Sequence, residues 1–287
     1  MTGQRHCAEA ELITGGKTIH INSKGEIAHV VVSDIRKTYR DRNGNPFLVL
    51  DGISLKIGHG EFVAIIGPNG CGKTTCLNIV AGIDKADAGQ VLIRGQSPSE
   101  VRTGFMFQNY RESLFPWRTV VDNVAFPLEM RGVAKETRRH KAAEFLKLSG
   151  LDIPLDGFLY QLSGGQQQIV ALTRALVMEP DIMIMDEPFS ALDYHIRLQM
   201  HDVVQRLFER AKPTVLFVSH EVEEAVYLAD RVIILSSRPA HVIAQYEVSL
   251  PRPRNRDLLT TPEFFEIRNR VLKAFHDALS DEEVQKK

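Results

Sequence analysis

The chain predicts an α/β fold with a buried, mostly parallel sheet and a helical segment inserted into it. Short, nearly all-apolar runs at 61–66, 104–108, 182–185, 214–219 and 231–235 alternate with stretches of helical pattern. Strands apolar on both faces belong to sheets covered on both sides, and their alternation with helices favours parallel pairing. From about 109 to 165 the rhythm stops. Nothing there reads as a strand, and 135–150 reads as a helix, which marks the insertion.

Residues 1–28 are polar and turn-rich (Gly15, Gly16, Asn22, Gly25) and read as a loosely ordered extension. Strands at 29–35 and 49–57 follow, joined by the turn-forming run Asp41-Arg42-Asn43-Gly44-Asn45-Pro46. The strand at 61–66 runs straight into glycines, and the helix after them continues to Ala81 and stops at Gly82. Beyond Pro251 a Pro/Arg stretch leads to an amphipathic helix from Pro262 to about Leu279. Its apolar set, Phe264, Phe265, Ile267, Val271, Leu272 and Phe275, is expected to dock on the core. The division is therefore an extension at 1–28, a principal domain at 29–250 and a C-terminal segment at 251–287.

Composition removes several classes of function. A net charge of −1 supplies no basic field for nucleic acid. The longest apolar runs, such as 232–235, fall far short of the roughly 20 residues that cross a bilayer. The N-terminus lacks the basic start and apolar run of a secretory signal. Cys7, Cys71 and Cys76 form neither a paired framework nor a metal spacing, which fits a reducing cytoplasm.

Gly67-Pro68-Asn69-Gly70-Cys71-Gly72-Lys73-Thr74 matches G-x-x-x-x-G-K-[ST] between a strand and a helix. Its glycines let successive backbone N–H groups turn toward phosphate oxygens at a helix N-terminus. Lys73 is expected to reach the β- and γ-phosphates of a nucleotide and Thr74 to ligate Mg²⁺. The strand 182–185 delivers Asp186, for Mg²⁺, and Glu187, placed to polarise the attacking water. Ligands of open parallel sheets bind beyond the carboxyl ends of the strands. One site would then also collect Gln108, at the Mg²⁺ or water, and His220, at the γ-phosphate and Glu187. Leu162-Ser163-Gly164-Gly165-Gln166 opens another helix with a capping-box pattern, Ser163 to Gln166. Local physics reads an ordinary capped helix. Its two glycines also leave backbone N–H groups bare, a second anion cradle that makes sense if it faces a nucleotide held by another copy.

These motifs, in this order, resemble the ATP-binding subunit of ABC transporters over about 29–250. The resemblance implies a P-loop NTPase (RecA-like) core, an antiparallel β subdomain and an inserted α-helical subdomain. It implies ATP hydrolysis, with ATP and Mg²⁺ as cofactors and with Thr75 joining the phosphate loop. It implies that Leu162–Gln166 closes on the nucleotide of a second, head-to-tail copy, and that Ser190, Ala191, Leu192 and Asp193 lie at that interface. Tyr39 matches the aromatic that stacks on adenine.

A narrower resemblance, to importers for nitrate, sulfonates and taurine, rests on Leu114-Phe115-Pro116-Trp117, Asp122-Asn123-Val124, Ser237-Arg238-Pro239 and Pro251-Arg252-Pro253-Arg254. It implies two permease subunits, a solute-binding protein and a place on the cytoplasmic face of the membrane. Leu114, Phe115 and Trp117 would line the groove for the permease. The alternative is a soluble ABC ATPase of DNA repair or translation. Against it stand the absence of a heptad-rich insertion, of a tandem cassette and of a basic stripe. Three departures stand out: Gln167-Gln168 where the family carries an Arg, expected to weaken pairing near the interface; Ala240 for the usual Gly; and the long extension. Cys71, beside Lys73 at a helix N-terminus, is expected to be an alkylation-sensitive thiol.

Overall fold

The computed structural model describes residues 11–14, 17–20, 28–190 and 192–285. Eleven strands are assigned among them: β1 (Glu11–Thr14), β2 (Lys17–His20), β3 (Ala28–Arg40), β4 (Pro46–Gly58), β5 (Phe62–Ile66), β6 (Ala88–Ile93), β7 (Thr103–Met106), β8 (Ile182–Asp186), β9 (Val215–Val218), β10 (Arg231–Leu235) and β11 (Val242–Glu247). The helices are α1 (Lys73–Val80), α2 (Tyr110–Ser113), α3 (Val120–Met130), α4 (Lys135–Leu148), α5 (Gly164–Leu176), α6 (Tyr194–Ala211), α7 (Val222–Leu228) and α8 (Pro262–Gln285).

The main sheet has the order β11-β10-β5-β9-β8-β7, parallel except for β11 at its edge. A second, antiparallel sheet has the order β4-β3-β6. β1 and β2 pair with each other; the rest of the expected N-terminal extension before Ala28 lies outside the described residues.

Period-two alternation assigns each central strand to two cores. Phe62, Ala64 and Ile66 of β5 join the helical side with α3, α5, α6, α7 and α8, while Val63 and Ile65 join α1 and the antiparallel sheet. In β8, Met183 and Met185 face the first side and Ile182 and Ile184 the second, all without exposed surface. This is why these runs are apolar at every position.

Four of these strands escaped the sequence: β1 and β2, within the stretch read as a loosely ordered extension, and the edge strands β6 and β11. β6 is exposed over its first three residues, and β11 is a half-buried edge with alternating exposure. Edges need no unbroken apolar run. β7 also stops at Met106, so Gln108 stands beyond the strand rather than closing it. In α8, Phe264, Ile267 and Val271 are buried, but Phe265 is 40% exposed under the Arg268 guanidinium. Its expected docking is corrected by helix geometry: consecutive residues lie about 100° apart, so Phe265 leaves the stripe that Phe264 occupies.

Asp181, just ahead of β8, clasps the antiparallel sheet to the core. Its carboxylate accepts from Arg94 Nη1 at 2.6 Å and from the Arg102 backbone N–H at 3.0 Å, and its carbonyl bonds His29 Nε2 at 2.8 Å. Burial works against its charge, but the Arg102 N–H and the two guanidiniums outweigh it and hold the carboxyl at about 2, against an ordinary 3.8. A depressed folded-state pKa contributes stability above the unfolded value, lost as pH falls from 3.8 through about 2. Asp181→Asn should therefore cost about 1–3 kcal/mol at neutral pH, read as a lower urea midpoint. The difference from the parent should shrink toward pH 2. A constant difference across that range would contradict the clasp.

Candidate functional site

The parallel register brings the carboxyl ends of three strands side by side. Val218 of β9 is paired with Ile65 of β5 on one side and with Asp186 of β8 on the other. Gly67, Ser219-His220 and Asp186-Glu187 therefore emerge next to one another, although they are far apart in the chain.

The loop after β5 holds its shape through glycine. Gly72 caps α1 at φ 123°, and a Cβ there would lie 2.8 Å from both Leu50 and Val49. The first turn of α1 carries no acidic side chain and no side-chain cap, so its N–H groups suit an anion. Lys73 is buried, and its Nζ donates to the Gly67 and Pro68 carbonyls, each at 2.8 Å. Asn69, Gly70 and Thr74 are exposed and Thr75 is half-buried. Cys71 behaves otherwise. Its side chain is 1% exposed, turned under the loop toward Gly67, and burial corrects the expected alkylation sensitivity. Cys76, fully buried, has its thiol pushed up to about 12.

Asp186 is 5% exposed, and its Oδ1 has no hydrogen-bond partner. Burial raises its pKa, while the Thr74 hydroxyl, Lys73 and His220 pull it down. An orphaned carboxylate oxygen beside a threonine hydroxyl is the donor set of a hard divalent cation, so these residues fit Mg²⁺. Glu187 sits at φ 48°, a left-handed conformation uncommon for a side-chain-bearing residue and frequent where a site demands it. Its carboxylate takes a hydrogen bond from Gln108 Nε2 at 3.0 Å and contacts His220 Nε2.

A cavity of about 280 Å³ opens here, lined by Tyr39, Lys73, Thr74, Glu187 and His220, together with Phe47, Val49 and Arg238. Tyr39 is held by its hydroxyl, which donates to Asp84 Oδ2 at 2.5 Å. Phe47 is its cross-strand partner, and the Arg238 guanidinium lies over the Phe47 ring at 5.0 Å. Neither Phe47 nor Arg238 emerged as a site residue from the sequence. The cross-strand position of Phe47 opposite Tyr39 was the available signal; Arg238 had none beyond its Ser-Arg-Pro run.

Residues 162–166 do not line this cavity. Ser163 caps α5, its Oγ accepting from Gln166 N at 3.3 Å while Gln166 Oε1 accepts from Ser163 N at 3.0 Å. Leu162 and Gly165 are buried, and the Gly164 carbonyl accepts from the Tyr110 hydroxyl at 2.9 Å. Gln167 donates to the Leu159 carbonyl at 2.9 Å, and Gln168, 1% exposed, donates to that of Pro188. Both amides serve their own chain, so the expected weakening of an interface has no support. Ser190 Oγ donates to the Glu187 carbonyl at 3.1 Å, and Asp193 caps α6 by accepting from Ile196 N at 3.0 Å. Ala191 lies outside the described residues. Leu114 is buried in the core, which removes it from the expected groove, whereas Trp117 is 72% exposed beside Phe115.

A strand–glycine-loop–helix with a buried lysine, an orphaned aspartate and a strained glutamate against a histidine has the groups that binding and splitting a nucleoside triphosphate require. A family model described as "ABC transporter" matches residues 50–190. An uncharacterized ABC transporter ATP-binding protein of Methanocaldococcus jannaschii is 44% identical, over 82% of this chain and 87% of its own length. The chain belongs to the ABC transporter ATP-binding family. The aliphatic sulfonates import ATP-binding protein SsuB of Bacillus cereus is 36% identical over 86% of the chain and 95% of that protein. Among solved structures, a dimeric ATP-binding cassette in a post-hydrolysis state with ADP and Pi superposes with a TM-score of 0.65 at 32% identity, covering 77% of this chain and all of that one. A dimeric bacterial ABC transporter cassette gives 0.66 with the same identity and coverage. This ABC protein is thus an ATPase that binds ATP, with Mg²⁺ typical of the family. Among the described residues no helix is long and apolar enough to cross a membrane.

Proposed function

We propose that the chain is the energy-coupling subunit of an importer. Two copies stand head to tail, and each nucleotide is held by the phosphate loop of one copy and covered by Leu162–Gln166 of the other. One observation carries this reading: the cavity at Lys73 and Thr74 has Glu187 and His220 on its wall but no residue of 162–166. A bare, capped helix N-terminus in the same chain then needs a second copy to meet an anion. The solved relatives are dimers, one of them holding ADP and Pi.

In this arrangement the adenine stacks on Tyr39, and Lys73 with the loop N–H groups holds the phosphates. Thr74, Asp186 and Gln108 hold Mg²⁺, which when bound neutralises charge on the phosphate oxygens. Glu187 accepts a proton from the water whose oxygen bonds to the γ-phosphorus as the bond to ADP breaks. His220 steadies Glu187, and Gln108 ties it to the helical segment. Closing and reopening drive two permease subunits from the cytoplasmic face, with a solute-binding protein delivering cargo. The exposed Trp117, packed on Phe115, gives the permease an aromatic foothold. The cargo is a small anion or organic solute of the nitrate, sulfonate or taurine type, and kinship with SsuB supports the sulfonate end of that range.

The test uses Gly164→Asp in a Glu187→Gln background. With ATP and Mg²⁺, light scattering should give the mass of two chains for Glu187→Gln alone and of one chain for the double variant. ATP affinity per chain should be retained. A dimer that survives Gly164→Asp, or a variant that loses ATP binding as a monomer, would place the signature elsewhere.

A further inference from the structure

Behind the catalytic pair lies a buried polar chain that hydrolysis, as described, does not use. His201 of α6 is 4% exposed and Glu224 of α7 is 6% exposed, with His201 Nε2 and Glu224 Oε1 2.9 Å apart. The other oxygen of Glu224 accepts from the Ser219 hydroxyl, itself 2% exposed. A hydroxyl has one proton and can also accept. Ser219 Oγ accepts from the Glu221 backbone N–H at 2.9 Å, closing the turn that carries His220. His201 is packed edge-on against Phe189, two residues beyond Glu187, at 4.9 Å between ring centres. A cavity of about 160 Å³ is lined by both sets of groups, Glu187 and His220 together with Phe189, Ser219 and Glu224.

A buried carboxylate is costly unless paired. Glu224 is paired at both oxygens, with His201 on one and Ser219 on the other. Ser219 is the residue that immediately precedes His220. The neighbouring face of α6 meets the signature helix, since a Cβ on Gly165 would lie 3.2 Å from Ile196 and 3.7 Å from Met200. One helix therefore abuts the signature and, one residue on, holds the partner of Glu224.

We propose that His201 and Glu224 are positioning residues for hydrolysis, setting through Ser219 the place of His220 against Glu187. The inference rests on His220 serving the reaction. Without the link, the turn at 219–221 keeps its backbone but loses its anchor in the first turn of α7. His220 then shifts while the nucleotide pocket stays intact.

The experiment compares single-turnover ATP hydrolysis and ATP affinity for the full chain. Ser219→Ala should slow hydrolysis about 10–100-fold, the order expected of a misplaced reacting group, with the ATP dissociation constant within about twofold of the parent. Glu224→Leu, which removes the acceptor, should do the same, and the two together should cost no more than either alone, since both cut one link. Ser219→Thr, which keeps the hydroxyl, should recover most of the rate. Unchanged hydrolysis in Ser219→Ala, or additive losses in the double variant, would overturn the proposal. His220→Ala is the reference. If it is inactive while Ser219→Ala is fully active, only the positioning fails; if it is itself active, the role of His220 fails and the proposal with it.

Discussion

Glu187→Gln should leave ATP bound and hydrolysis slower by about 10²–10⁴-fold, the usual worth of general-base assistance. The substitution keeps the volume of the side chain and removes its proton acceptor. The geometry is why the loss should fall on turnover and not on affinity. Glu187 is held by the strained backbone, the Gln108 amide and His220, all of which the substitution leaves in place, and its own carboxylate is not among the groups assigned to the phosphates. Steady-state turnover, with calorimetric titration of ATP, separates the two quantities. Turnover equal to that of the parent would remove Glu187 from the proton-accepting role.

Lys73→Ala should act in the opposite sense, on binding first and, through it, on turnover. The ammonium is buried between two carbonyls, at 2.8 Å from each, and is the cation at the centre of the loop. Hydrogen bonds to charged groups contribute about 1.5–3 kcal/mol each, and each 1.4 kcal/mol is roughly tenfold in affinity. Losing two phosphate contacts therefore predicts a fall of about 10²-fold or more in ATP affinity. The fold should persist, because Gly72 and the apolar packing around Val49 and Leu50 keep the loop in place. An unchanged dissociation constant would refute the assignment of Lys73 to the phosphates.

Much of the site was legible because it is written in contiguous residues. A phosphate loop needs its glycines, lysine and threonine within one turn, so the motif survives in one dimension. Asp186 and Glu187 were legible for the same reason, at the end of an apolar run of the length of a strand. The contributions of Phe47 and Arg238 were not, because each approaches the cavity from a different segment, and the Ser-Arg-Pro run that holds Arg238 says nothing of a nucleotide. Cys71 shows the converse error. Its neighbours in sequence suggested a reactive thiol, and only the direction of its side chain, inward under the loop, revealed a packed one.

Buried charges mark the same limit. Arg254 reads as part of a polar Pro/Arg stretch, yet its side chain donates to the carbonyls of Val226, Tyr227 and Ala229 around the end of α7. Burial, aided by the neighbouring Arg252, pushes its pKa down to about 10. A cation at a helix C-terminus is favourable there, but nothing near position 254 in the sequence points to a helix that ended some 25 residues earlier. Arg231 and Glu61 form a similar buried pair, Nε to Oε1 at 2.8 Å, between the starts of two strands that only the sheet makes neighbours.

The sequence by itself determined the alternation of strands and helices, the parallel sheet and the chemistry of the phosphate loop and its carboxylates. Each depends on local periodicity or on adjacent residues. Tertiary structure alone decided which segments face the cavity, that Glu187 is wedged between Gln108 and His220, that 162–166 stay outside their own pocket, and that His201 answers Glu224. Those are matters of strand order and side-chain direction. Both arise from packing between segments remote in the chain, where no single stretch of sequence carries the signal.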